Sequence, residues 1–133
     1  MKPHLILLLA WIPTLGAQTA WWNGTWDDAL AEARRRNVPL LIAINVDGEE
    51  ANERAVAFYG TPEFAALSSR CVPIIASVGS HEDAKGRSGP PVCGRFGSVT
   101  CGHHRALEAR IRKQFFGGPE VPIPAPHHLV VQP

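Results

Sequence analysis

Apolar and polar positions fall in blocks along this chain, and each block has its own period. In TWDDALAEARRRN, residues 25–37, Trp26, Leu30 and Ala33 recur at helical spacing among charges. Thr25, with Asp28 three positions on, predicts a capping box, and Asn37 and Pro39 close the helix. PLLIAINV, 39–46, is a continuous apolar run rich in branched side chains, the pattern of a strand buried on both faces. A second helical region, 49–69, is interrupted at YGTPEF, where Gly60 and Pro62 break the period and Thr61 caps a short second piece. CVPIIASV, 71–78, predicts another buried strand. The Gly-, Ser- and Pro-rich stretch 79–99 is too long for an ordinary turn, so it reads as functional, bridged or mobile. In the segment after it Thr100 is the N-cap, Leu107, Ile111 and Phe115 form a core-facing stripe, and Gly117 and Gly118 are the stop. Prolines then give way to a short strand, Leu129 to Val131. Two buried strands joined through a helix predict a parallel pair and an α/β fold.

The first twenty residues stand apart. Lys2, an apolar run from Leu5 to Ile12, Pro13 and a small-residue stretch read as a signal peptide, cleaved between Gly16 and Ala20. An uncleaved anchor is the alternative, but the run falls short of the roughly 18 apolar residues a membrane span needs. The expected product is a secreted or periplasmic domain, 21–133, with no stable membrane span. Without Lys2 its twelve basic and twelve acidic residues balance, which leaves no electrostatic footprint for nucleic acid. Arg34 to Arg36 read as a solvated helix end that complements the dipole. Asn23-Gly24-Thr25 is a glycosylation sequon, relevant only in a eukaryotic host.

Candidate chemistry concentrates in CGRFGSVTCGHHR, 93–105, which holds two of the three cysteines and two of the six histidines. Cys101 follows the predicted N-cap, an environment that favours a thiolate. Four readings stand side by side. Cys93 and Cys101 form a structural disulfide; the same bridge is redox-active and catalytic, with His103 or His104 tuning it; Cys93, Cys101 and His103 or His104, completed by His81, bind zinc or copper(I); or the cysteines are free or differently paired, a bridge to Cys71 included. The spacing contains neither a Cys-x-x-Cys nor a His-x-x-x-His, and it is not a haem-attachment motif. Cys71 reads as a small core residue. No cofactor is expected, a metal entering only through the third of those readings.

The runs WNGTWDDALAEARRRNVPLLIAINVD, TPEFAALSSRCVPIIAS and PAPHHLVV resemble the secreted thioredoxin-like proteins over roughly residues 22–133. Trp22, Pro39, the restart from Thr61 to Phe64, Val72 to Ile75 and Pro126 take the places of that family's recurrent residues. The resemblance implies a three-layer thioredoxin-like fold with 79–99 as an insertion. It also implies a cis Pro126 lining a groove along which a peptide or protein partner pairs. The family's dithiol would fall near Glu49 and Asn52, where the sequence has no cysteine. Asp47, Glu49, Glu50 and Glu53 lack calcium-loop spacing and read as helix-start acids. Members continue into a last strand and helix, so the chain looks C-terminally truncated, with Leu129 to Val131 an exposed edge open to a partner or to self-association. The expectation is a binding or structural module with a Cys93–Cys101 disulfide; alternatives are a thiol-disulfide oxidoreductase or redox sensor using that pair, and a Cys/His metal site.

Overall fold

The Thr25 hydroxyl accepts the Asp28 N–H at 3.2 Å while the Asp28 carboxylate accepts the Thr25 N–H at 3.3 Å, so both halves of the capping box are made. In this computed structural model, which describes residues 19–79, 81–85 and 89–133, the capped helix is α1, Trp26–Arg36. The signal-peptide reading rests mainly on residues 1–18, outside those described. Asn37 ends α1 in the left-handed region at φ 51°, which asparagine tolerates better than most side chains. The chain continues through β1 (Leu40–Val46), α2 (Glu50–Tyr59), α3 (Pro62–Ser68) and β2 (Val72–Val78). Thr61 caps α3 by accepting the Phe64 N–H at 3.2 Å, with Pro62 where its missing N–H costs nothing.

The long connection contains structure of its own. β3 (Asp83–Ala84) and β4 (Val92–Cys93) pair antiparallel, with Asp83 opposite Cys93. Thr100 then caps α4 (Cys101–Phe115) by accepting the His103 N–H at 3.1 Å. β5 (His127–Val131) starts two residues before the strand read from sequence, directly after a cis Ala125–Pro126 bond.

β1 is central in a mixed sheet ordered β2-β1-β5, parallel to β2 and antiparallel to β5. Both its faces are covered, which explains its unbroken apolar run. Leu40, Ile42 and Ile44 of β1, with Val72, Ile74 and Ala76 of β2, meet Trp26, Ala29 and Ala33 of α1 and Leu107 and Ile111 of α4. The alternate residues Ala43 and Ile75 face Trp21, Tyr59, Phe64 and the connection residues Cys93, Phe96 and Val99. Ile42 and Ile74 are paired in register and fully buried, each worth about 1.5–3 kcal/mol relative to exposure. The architecture is therefore α/β, with helices packed on a small mixed sheet.

Phe115 does not join the buried stripe of α4. It is partly exposed and sets its ring edge-on to Trp26 at 5.8 Å. The outer side of β5 has no partner strand among the described residues, and Val130 on that strand is exposed. No described helix is long and apolar enough to cross a membrane.

Candidate metal centre

Parallel strands end together. Val46 and Val78 are in register, so Asp47 and Gly79 leave the sheet side by side at its carboxyl edge, the edge where α/β sheets commonly carry their sites. Gly79 has to be a glycine here, because a Cβ would collide with the Asp47 carboxylate. Beyond it, Arg105 of α4 donates to the carbonyls of Gly79 and His81 at 3.1 and 2.8 Å, and Asp83 accepts the Cys101 N–H at 2.7 Å. The start of the connection is thus pinned to the first turns of α4, with His81 between the pins.

Cys93 arrives from the other end. It lies opposite Asp83 in the β3–β4 ladder, donates its N–H to Val99 at 2.7 Å and accepts the Gly97 N–H at 2.8 Å. Those bonds close a tight loop that delivers Cys93 beside Cys101. The α4 period does the rest. Cys101, His104, Leu107, Glu108 and Ile111 are its buried residues, so Cys101 and His104 share the inward face. One ligand atom from each of His81, Cys93, Cys101 and His104 lies within 4.8 Å of every other.

The ring orientations are determined by their second nitrogens. His104 Nδ1 lies 2.8 Å from the Ser77 carbonyl, which can only accept, so Nδ1 carries the hydrogen and Nε2 is bare. Burial pushes the His104 pKa down, which favours that neutral form. His81 Nδ1 lies 2.6 Å from Asp47 Oδ2, and its Nε2 faces His104 Nε2 at 3.0 Å. Two lone pairs at that distance repel unless a cation, either a proton or a metal ion, stands between them. A ring nitrogen tied to a carboxylate or carbonyl is the usual support of a metal-binding histidine.

The sulfurs fit the same geometry. The Cys93–Cys101 pair stands about 3.6 Å apart and all three cysteines are free thiols. Tetrahedral zinc, with Zn–S of about 2.3 Å and Zn–N of about 2.0 Å, needs edges of about 3.8 Å between sulfurs and about 3.3 Å between nitrogens. A disulfide would need about 2.05 Å. Cys93 is 0% and Cys101 3% exposed, His81 is partly exposed, and Phe96 lies edge-on to both imidazoles at 5.5 and 5.3 Å.

The expected thiolate at the start of α4 is not favoured in the bare site. Burial, then the Asp83 carboxylate and Cys93, push the Cys101 thiol up to about 12, outweighing the helix dipole. A divalent cation reverses that balance, because a coordinated thiol is deprotonated outright. Two thiolates around one divalent ion also leave the buried cluster neutral.

Of the residues singled out from sequence, the structure gathers His81, Cys93, Cys101 and His104. It leaves His103 outside, with Nε2 2.9 Å from the Trp22 carbonyl, and Cys71 outside, with its thiol against the Ser68 carbonyl. Pro126 lies before β5 and supplies none of the cluster's ligand atoms. Glu49 and Asn52 stand at the start of α2, where Asn52 accepts the Val46 N–H. Sequence reasoning read Asp47 only as a helix-start acid and passed over Asp83 and Arg95. Arg95 pairs with Glu53, holding its carboxyl down at about 2, and approaches Asp47 Oδ1 with Nε at 3.2 Å, an ion pair without hydrogen-bond alignment. Nothing local marks these three; the period of α4 alone, however, separates His104 from His103. No protein-family model, curated protein or solved structure matches this chain.

Proposed function

We propose that this chain is an exported, thioredoxin-like metal-binding domain whose Cys93, Cys101, His81 and His104 hold one zinc ion. The observation that carries the reading is the convergence of two thiols and two imidazole Nε2 atoms, from three separated segments, within 4.8 Å of one another. The outward nitrogens of both rings are already engaged, as ligands require. Two sulfur and two nitrogen donors, three of the residues buried and His81 partly so, suit tetrahedral zinc, and four protein ligands leave no position for a substrate. The ion's role is therefore structural: it ties the connection 79–99 to α4 and to the end of the sheet. The thioredoxin-like assignment rests on the sequence resemblance together with the parallel β1–β2 pair, the antiparallel β5 and the helices packed on both faces. In this domain the family's dithiol position carries Glu49 and Asn52, and the chemistry stands at the neighbouring strand end.

The test is metal content of the reduced chain, with cobalt(II) as a spectroscopic stand-in. One zinc per chain is expected, with the intense visible bands of a tetrahedral cobalt–thiolate centre. Cys93→Ser, Cys101→Ser and His104→Ala lose that binding, whereas Cys71→Ser and His103→Ala keep it. Equal losses from His103→Ala and His104→Ala would refute the assignment, and preferential uptake of copper(I) would change the metal.

A further inference from the structure

We infer that the centre is gated by small oxidants: the two sulfurs that hold the ion also close into a Cys93–Cys101 disulfide, and closing expels the metal. This rests on the zinc reading above and adds to it how the ion leaves. The two cysteines stand about 3.6 Å apart. Their backbones are already held, Cys93 by the Val99 and Gly97 bonds and Cys101 by Asp83, and a bridge needs the sulfurs to approach by about 1.5 Å. Cys71 is engaged with Ser68 outside the cluster, so the pair has one partner each.

Burial selects the oxidant. With Cys93 and Cys101 nearly inaccessible, a bulky disulfide reagent cannot reach sulfur in line, whereas a peroxide, little larger than water, needs only a narrow opening beside the partly exposed His81. One thiolate attacks a peroxide oxygen, the O–O bond breaks, hydroxide leaves and a sulfenic acid forms. The second thiolate attacks that sulfur and displaces a second hydroxide. The two sulfurs give up two electrons, the peroxide takes them, and zinc stays divalent throughout. Only the imidazoles of His81 and His104 then remain as donors, too few to retain the ion. The oxidised form keeps 93–101 closed but loses the tie between His81 and His104. His81 therefore becomes the residue whose hold changes.

The experiment uses the full reduced chain loaded with zinc, whose metal content is measured before any oxidant is added. A chain that takes up no zinc at that stage overturns the metal reading and this one with it. Hydrogen peroxide is then added stepwise, with a chromogenic chelator following free zinc and intact mass following the protein. Zinc occupancy should fall at least tenfold, in step with the loss of two hydrogens and the appearance of a Cys93–Cys101 linked peptide. A thiol reductant with added zinc should restore it, and Cys71→Ser should behave as the parent does. Zinc retained against excess peroxide, or zinc lost while the sulfurs gain oxygen without bridging, overturns the gate and leaves the zinc site standing.

Discussion

Asp47 serves two partners with one carboxylate. Oδ2 accepts from His81 at 2.6 Å and Oδ1 faces Arg95 at 3.2 Å, while Arg95 is held in turn by Glu53 and Asn45. The carboxylate fixes which face His81 turns to the cluster, so it would act on the proposed metal through the ring rather than by touching it. Asp47→Ala should weaken zinc binding by about 10- to 100-fold, the usual cost of losing a ligand's outer partner. Asp47→Asn keeps an acceptor for Nδ1–H and should lose less. Gly79→Ala, which drives a methyl into the same carboxylate, should shift affinity in the direction of Asp47→Ala. Zinc competition titration of the three variants checks the order. Parent-like affinity in Asp47→Ala would mean the carboxylate serves Arg95 alone. None of this was legible in NVDGEE, where an acid before a helix is already accounted for by the helix dipole.

At the level of elements, α4 carries the centre because of its phase and its cap. Cys101 opens the helix, His104 follows at three residues and Leu107 at three more, so a stripe that packs the sheet also presents two ligands. That stripe was legible from Leu107 and Ile111 onward. Extending it backward selects His104 over His103. Thr100 holds the first turn by accepting the His103 N–H, and Thr100→Ala should cost about 1 kcal/mol of stability. Because the frayed turn contains both ligands, zinc affinity should fall with it. Thermal melting and zinc titration of the variant measure the two effects, and Thr25→Ala on α1 provides a control that changes stability without affinity.

For the molecule as a whole, the site joins what the sheet does not. The connection 79–99 contributes Cys93, Phe96 and Val99 to one core, yet its own ladder is two residues long on each strand. The proposed ion, linking His81 and Cys93 to α4, would supply the missing cross-ties. At free zinc a thousandfold above Kd, binding stabilises the native state by about 4 kcal/mol, which for a domain this size raises Tm by on the order of 10 °C. Removing the ion with a chelator should lower Tm by that amount and hasten proteolytic cleavage within 79–99 before anything else. A melting curve and cleavage pattern unchanged by chelator would show that the connection is held by Arg105 and Asp83 without metal.

What the sequence determined by itself is whatever depends on neighbours a few residues apart. The caps at Thr25, Thr61 and Thr100, the break at Gly60 and Pro62, and the two buried strands all follow from local hydrogen bonding, backbone limits and apolar period. The same locality brought Cys93, Cys101 and the histidines forward as candidates and left bridge and metal unresolved, because spacing along the chain does not specify distance in space. Only the tertiary structure decided that His81, separated from Cys101 by twenty residues, returns to the same point, that His104 and not His103 faces it, and that Asp47 stands behind it. The physical reason is the parallel register of β1 and β2. It ends both strands at one edge, and α4, packed across β2, brings its first turn to the same place.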